Sequence, residues 1–124
     1  MPLGGEGEQR AADHLRRAGF RLLQRNYRCR GGEIDIVARD GATIVFVEVK
    51  TRSRDGGELP EASLTARKRH RLAVAARAFM QEFKARDVIY RFDLVGCEVD
   101  DDGQWTIHHW RNIIDYRKAL VRRY

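Results

Sequence analysis

The sequence predicts a single α/β domain in which helices flank a mixed β-sheet, and three observations lead to this prediction. A chain of 124 residues has the length of one domain and can bury one hydrophobic core. Two segments have the apolar spacing of an amphipathic helix, and five are rich in β-branched and aromatic residues, as strands are. Three strands follow one another through short turns, which predicts an antiparallel meander, and a helix then crosses over to a further strand.

The individual elements rest on local signals. Gly19 stops the first helix, and Asp40-Gly41 is typical of a hairpin turn between the second and third strands. The run Thr43–Thr51 is almost continuously apolar, which predicts a central strand buried on both faces. Thr65 is a suitable N-cap for the long helix that follows. The predicted order is α-β-β-β-α-β-β with a basic C-terminal segment from about 111, and it places helices at 6–17, 66 to about 85 and 112–124, and strands at 20–30, 33–39, 43–51, 88–99 and 105–110.

The charge balance indicates a polyanionic partner. Lys and Arg number 24 against 18 Asp and Glu, which gives a net charge of +6 and a pI near 9.8. Such a surface favours nucleic acid or an anionic membrane. No run approaches about 20 apolar residues, so no transmembrane helix is expected, and an acid near the N-terminus does not match a signal peptide.

Cysteine usage favours a cytoplasmic protein. Cys29 and Cys97 are far apart in the sequence and are expected to be free thiols in a reducing compartment. A zinc site that joins them to His108 and His109 is disfavoured, because structural zinc ligands usually come in close pairs.

Charged residues on strands that are predicted to be buried indicate a functional site. Glu48 and Lys50 lie two apart in the most apolar strand and therefore point to the same face. Pairing about the hairpin turn places Asp35 opposite Phe46, one same-face step from Glu48. Two carboxylates directed at one place repel unless they share a proton or a cation. A divalent cation with oxygen ligands, Mg²⁺ or Mn²⁺, would relieve this repulsion.

Two further residues belong to the same candidate site. Glu8 lies at the top of the inward stripe of the first helix, where an acid is unexpected. Lys50 adds a positive charge that is suited to orient an attacking water or to stabilise charge on a phosphate. Structural roles stay open as alternatives. Glu48 and Lys50 would then form an exposed ion pair, Asp35 would lie on the surface, and Glu8 would interact with the helix dipole.

Short motifs surround these residues in a fixed order from about Gly4 to Val99, over most of the chain. They are Gly7-Glu8-Gln9-Arg10-Ala11-Ala12, Arg25-Asn26, Gly32-Glu33-Ile34-Asp35-Ile36, Phe46-Val47-Glu48-Val49-Lys50-Thr51-Arg52, Glu61-Ala62, Lys68 and Arg91-Phe92-Asp93. In this order they resemble the motifs of the YraN-like uncharacterised protein family. That family is similar to Holliday-junction resolvases and other nucleases of the PD-(D/E)xK superfamily.

The resemblance implies a restriction-endonuclease-like core and a role for each residue of the site. In the superfamily, an Asp and the Glu of an E-x-K strand bind Mg²⁺, and the Lys assists the attacking water. These roles would fall to Asp35, Glu48 and Lys50. An acid on the first helix commonly joins the metal ligands, and Glu8 matches it. Ile34 precedes Asp35 where the superfamily name gives Pro, which is a tolerated variation. The predicted catalytic residues are Glu8, Asp35, Glu48 and Lys50, of which the three acids are also the predicted metal ligands.

Basic residues cluster in three segments, at 16–30, 67–71 and 111–123. The second cluster opens the long helix, where cations oppose the helix dipole and a bound phosphate would offset that cost. A solvated surface is the alternative for each cluster. The residues predicted to contact nucleic acid are Arg25, Arg52, Arg67, Lys68, Arg69 and Arg71.

Together these features predict a Mg²⁺- or Mn²⁺-dependent endonuclease whose partner is nucleic acid, with DNA favoured. The resemblance favours branched DNA as the substrate, a homodimer with two sites for two strands, and a part in DNA repair or recombination. The alternative is a non-catalytic nucleic-acid-binding module that keeps the nuclease fold, although the presence of all four site residues argues against it. A membrane-surface role is disfavoured, because no strongly amphipathic basic helix with large apolar residues is present.

Overall fold

Five strands form one mixed sheet with a helix on each face, in a computed structural model that describes residues 3–53, 64–85 and 88–114. The elements are α1 (Leu3–Arg17), β1 (Arg21–Cys29), β2 (Gly32–Asp40), β3 (Thr43–Ser53), α2 (Ala66–Glu82), β4 (Ile89–Val99) and β5 (Trp105–Trp110). This order confirms the predicted α-β-β-β-α-β-β arrangement. Of the predicted C-terminal helix, 115–124 lie outside the described residues. Neither described helix is both long and apolar enough to cross a membrane.

The strands lie side by side in the order in which they occur along the chain. β1, β2 and β3 pair antiparallel, as predicted for the meander. β4 pairs parallel to β3, with α2 in the crossover between them, and β5 returns antiparallel to β4. The predicted meander and crossover are therefore both confirmed.

The sheet is buried on both sides because β3 sends alternate side chains into two cores. Val45 and Val47 face α1, whereas Ile44 and Phe46 face α2. This confirms the prediction of a central strand buried on both faces. The α1 core consists of Ala11, Ala12, Leu15, Phe20, Ile36, Ala38, Val45, Val47, Val95 and Cys97. The α2 core consists of Tyr27, Ile34, Val37, Ile44, Phe46, Leu64, Leu72, Ala73, Ala75, Ala76, Phe79, Phe92, Leu94 and Ile114.

Two glycines let the helices approach the sheet closely. A methyl group on Gly7 of α1 would overlap the hydroxyl group of Thr51 on β3. The thiol of Cys97 on β4 also donates to the Gly7 carbonyl oxygen, at 3.3 Å. On the other face, a methyl group on Gly32 would overlap the carbonyl oxygen of Arg71 on α2. Each helix is therefore fixed against the sheet close to a predicted site residue.

The turn between β2 and β3 differs from the prediction. Asp40 pairs with Thr43, so the two turn residues are Gly41 and Ala42, and Asp40 belongs to the strand. The physical reason is that Gly41 takes a positive φ of 60° at the first turn position, which type II′ hairpins favour. A turn at Asp40-Gly41 would instead place the glycine second.

The corrected turn changes the partner of Asp35. The predicted pairing of Asp35 with Phe46 is wrong, because Phe46 pairs with Val37. The ladder ends at Ile36–Val47, and counting one residue further along each strand brings Asp35 level with Glu48. The two carboxylates are therefore closer neighbours than the sequence predicted.

Alanine at the two close-contact glycines is expected to destabilise the fold. Gly7→Ala and Gly32→Ala each force a helix away from the sheet and should lower the free energy of unfolding by about 1–3 kcal/mol. Gly5→Ala is the control, because its methyl group meets no atom within 4 Å and alanine favours a helix. Urea denaturation followed by circular dichroism measures the difference. Equal stability of Gly7→Ala and Gly5→Ala would contradict the close contact.

Candidate functional site

The backbone ladder between β2 and β3 ends at the pair Ile36–Val47, and the side chain of Asp35 continues it. Oδ2 of Asp35 accepts a 2.7 Å hydrogen bond from the N–H of Val49, two residues further along β3. A carboxylate thus satisfies an N–H group that would otherwise need a partner on the neighbouring strand. We call this place the β2–β3 fork.

β2 changes its orientation at the β2–β3 fork. Ile34 packs in the α2 core and Ile36 in the α1 core, although residues two apart in a regular strand share a face. The register between β1 and β2 places Asn26 opposite Asp35, and Asn26 has a positive φ of 54°. This irregularity lets the Asp35 carboxylate lie between β2 and β3 instead of on one face of the sheet.

At the β2–β3 fork, the carboxyl groups of Asp35 and Glu48 lie close enough to share a hydrogen bond. Burial, followed by repulsion from Asp35, raises the pKa of Glu48 to about 8. Burial also raises the pKa of Asp35, to about 6, against the opposing effect of the Val49 N–H. The charges of Glu8 and Glu33 add to the rise at Asp35. The pair therefore holds a proton more readily than two ordinary carboxyl groups do.

Two lysines lie beside this carboxyl pair. Lys50 follows Glu48 by two residues, on the face of β3 that α2 covers. Lys68 in the first turn of α2 is close enough to oppose the rise in the pKa of Glu48. The predicted N-cap holds this turn in place, because Oγ1 of Thr65 accepts a 3.2 Å hydrogen bond from the N–H of Lys68.

Glu8 approaches the pair from the helix on the opposite face of the sheet. Its charge raises the pKa of Asp35, which places it near that carboxylate. The adjacent Gln9 accepts a 3.1 Å hydrogen bond from Nη1 of Arg25, so this predicted nucleic-acid contact is attached to α1.

Within residues 3–53, 64–85 and 88–114, no three His, Cys, Asp or Glu side chains converge as a metal site. The structure places Asp35 next to Glu48. The metal-binding role of Glu8 stays a prediction.

The other predicted nucleic-acid contacts have different surroundings. Those at the start of α2 are Arg67 and Lys68, which are exposed, and Arg69 and Arg71, which are partly buried. Nε of Arg69 is buried, and no atom in the described part of the chain forms a hydrogen bond with it. Arg52 forms an ion pair with Glu98, in which Nε donates to Oε1 at 3.0 Å.

Glu33 contributes to the site although sequence reasoning did not select it. It is exposed on β2, and its charge raises the pKa of both Asp35 and Glu48. It also lies 3.8 Å from Arg28 on β1, measured from Oε2 to Nε. The signal in the sequence was its position two residues before Asp35, within the same motif.

Sequence reasoning also missed a charged cluster around Asp93, which is completely buried on β4. Its Oδ1 accepts hydrogen bonds from Nε of Arg91 at 3.0 Å and from the N–H of Asn112 at 2.9 Å, and its Oδ2 lies 2.8 Å from Nε2 of His109. Although burial alone raises the pKa of Asp93, these bonds lower it below the ordinary value. Nδ1 of His109 lies 3.1 Å from Nε2 of His14, so the cluster attaches α1 to β4 and β5.

These features define a small α/β protein with a carboxyl pair at a strand fork beside a basic helix start. The chain belongs to the uncharacterised protein family UPF0102, whose family model matches residues 7–97. This confirms the resemblance to the YraN-like family. UPF0102 proteins of Trichlorobacter lovleyi and Geobacter sulfurreducens are each 42% identical to it, over 91% of this chain and 90% and 88% of their own lengths. A UPF0102 protein of Nitratidesulfovibrio vulgaris is 44% identical over 94% of this chain and 87% of its own.

Glu48→Gln is expected to stabilise the protein at high pH in the presence of a chelator. Because folding raises the pKa of Glu48 to about 8, the stability that its bound proton provides is lost as the pH rises from about 4.5 to 8. The neutral amide avoids this loss, so the variant should exceed the native protein by about 1–3 kcal/mol near pH 9 and match it near pH 4.

Thermal denaturation across this pH range measures the effect. Glu6→Gln is the matched control, since Glu6 is an exposed acid that pairs with Arg10 on the surface of α1. A difference between Glu48→Gln and the native protein that does not change with pH would contradict the raised pKa.

Proposed function

We propose that the protein is a metal-dependent nuclease that binds nucleic acid, with DNA favoured, and hydrolyses its phosphodiester bonds. The observation that supports this most directly is the partly buried carboxyl pair Asp35–Glu48, whose raised pKa values accompany two neighbouring lysines. Perturbed carboxyl groups of this kind concentrate at functional sites. The resemblance to PD-(D/E)xK nucleases supports the same function, because the pair and Lys50 occupy that motif.

The donor chemistry of the pair fits Mg²⁺ or Mn²⁺. Both ions prefer oxygen ligands, and a divalent cation would offset the burial that raises both pKa values and the repulsion that adds to the rise at Glu48. Asp35 and Glu48 would hold the ion, with the Val49 carbonyl oxygen as a further ligand, and Glu8 would join through its proximity to Asp35. When bound, the ion supplies Lewis acidity at the phosphate and lowers the pKa of a water molecule.

The remaining chemistry belongs to side chains of the protein. Lys50 orients the attacking water and stabilises the negative charge that develops on the phosphate. Lys68 places a second cation next to Glu48, where it attracts the phosphate backbone. The other cations in the first turns of α2 hold phosphates of neighbouring nucleotides, which offsets their unfavourable interaction with the helix dipole.

The resemblance also shapes the substrate and assembly that we propose. Branched DNA is the favoured substrate, and a homodimer would supply two sites for its two strands, as in DNA repair or recombination. The competing function is a non-catalytic binding module, which would keep the basic surface and the fold without cleaving any strand. Metal binding and cleavage separate the two.

Mn²⁺ binding is expected to strengthen as the pH rises from 6 to 8, because the ion competes with the proton that the pair retains. Asp35→Asn should weaken binding at least about tenfold, since it removes half of the pair. Asp13→Asn is the control, because Asp13 lies on the outer side of α1 and pairs with Arg16. Isothermal titration calorimetry at pH 6 and pH 8 measures the Mn²⁺ affinity of the native protein and of both variants. Native affinity in Asp35→Asn would exclude the pair as the metal site.

Binding and cleavage should respond to different substitutions. Lys50→Ala should keep most DNA binding in Ca²⁺, while single-turnover cleavage in Mg²⁺ falls by about 10²–10³-fold. Replacing both Arg67 and Lys68 with Gln should reduce the slope of log K against log salt by roughly 0.7–0.9 for each phosphate that is no longer neutralised. Arg77→Gln, which removes an exposed cation further along α2, should leave the slope unchanged.

Two outcomes would contradict this division of roles. If the native protein binds duplex, flap, junction and single-stranded DNA but cleaves none of them in Mg²⁺ or Mn²⁺, the binding module replaces the nuclease. If the double variant at the start of α2 keeps the full salt slope, the phosphate backbone does not follow this helix.

A further inference from the structure

Two aromatic side chains lie on the sheet next to the candidate site and have no part in the proposed reaction. In the observed register, Lys50 of β3 pairs with Gly96 of β4, and Gly96 pairs with His108 of β5. Trp110 follows His108 by two residues and packs against the α2 core. Both rings therefore lie on the face of the sheet that presents Glu48 and Lys50.

Gly96 makes room for these rings. A methyl group on Gly96 would lie 3.0 Å from Cζ3 of Trp110, so the indole occupies the space that a side chain would take. The His108 ring stacks on Trp110 with a centroid distance of 5.6 Å and an interplanar angle of 29°. Nε2 of His108 also lies 3.7 Å from Oε2 of Glu98. The imidazole is thus held between an indole ring and a carboxylate.

The His108 ring is exposed as well as held. Its side chain is 45% exposed, whereas the side chain of Glu98 is 18% exposed and is paired with Arg52. An exposed ring that a second ring supports from behind is a surface on which a planar group can stack. Lys50, two strands away on the same face of the sheet, favours a planar group that belongs to a polyanion, and a nucleobase is such a group.

We infer that His108, supported by Trp110, stacks with an unpaired base of the strand held at Asp35 and Glu48. This inference rests on the proposed nuclease function and specifies its substrate as a strand that is unpaired near the cleaved bond. His108 is two strand spacings of about 4.8 Å each from Lys50. A base stacked there therefore belongs to a nucleotide near the reacting phosphate. A base inside a duplex has both faces covered, so only an unpaired or terminal base offers a free face.

The test uses flap DNA with 2-aminopurine at successive unpaired positions, bound in Ca²⁺ so that cleavage is not required. Stacking on His108 should quench the fluorescence at one position near the branch point. His108→Ala should remove this quenching and weaken flap binding by about tenfold, with blunt duplex binding unchanged. His108→Phe keeps a ring and should restore both. Thr106→Ala, an exposed position on the same strand and face, is the matched control and should change neither.

Three results would overturn the stacking inference, and only the last would also overturn the proposed function. Equal flap binding and equal quenching in the native protein and His108→Ala, with normal salt dependence, would overturn the stacking inference and leave the nuclease proposal standing. The same losses in His108→Phe as in His108→Ala would overturn it too, because a ring would then be insufficient. A complete lack of salt-dependent binding to any nucleic acid would overturn the stacking inference together with the proposed function.

Discussion

The hydrogen bond from the Val49 N–H to the Asp35 carboxylate is the interaction on which the candidate site depends. Where two strands separate, the backbone groups that they release need new partners. Here the partner is a carboxylate, which introduces a negative charge next to Glu48 in a partly buried place. Burial, followed by the charges of neighbouring acids, then raises the pKa at both carboxyl groups, which is a free-energy cost. A neutral acceptor would satisfy Val49 without that cost, so the charge itself indicates function.

The fold brings charges to this place from both faces of the sheet. Gly7 lets α1 pack closely against β3. Glu8 is the next residue of α1, and its charge raises the pKa of Asp35. On the other face, the Thr65 cap fixes the first turn of α2, which places Lys68 near Glu48. The buried cluster around Asp93 attaches α1 to β4 and β5 at a separate place. The helices therefore bring Glu8 near Asp35 and Lys68 near Glu48, from opposite faces of the sheet.

Local signals predicted most of the fold, because they depend on neighbours in the sequence. The apolar run of β3, the Thr65 cap and the element order all follow from periodicity and capping chemistry. The hairpin register could not be predicted in this way. The choice between Asp40-Gly41 and Gly41-Ala42 as turn residues depends on the backbone conformation of one glycine. That shift pairs Phe46 with Val37 and brings Asp35 level with Glu48.

Features that depend on contacts between residues far apart in the sequence could not be predicted from it. The positions of Asp35 and Glu48 were predicted from charges on buried strands, but their raised pKa values follow from burial and from neighbouring acids, among them Glu33. Arg52 was predicted to contact nucleic acid, and its ion pair with Glu98 arises only when β3 and β4 pair in parallel. The burial of Asp93 likewise requires partners from β4, from β5 and from Asn112, two residues after β5.

Diffraction from a crystal soaked in Mn²⁺ above pH 8, recorded where manganese scatters anomalously, tests the assignment of the carboxyl pair most directly. The proposed site predicts a peak within about 2.2 Å of an oxygen of Asp35 and an oxygen of Glu48. This peak should disappear in crystals of Asp35→Asn that keep the same fold. A crystal with an ordered β2–β3 fork and no peak between these carboxylates, or with its strongest peak at other residues, would contradict the assignment.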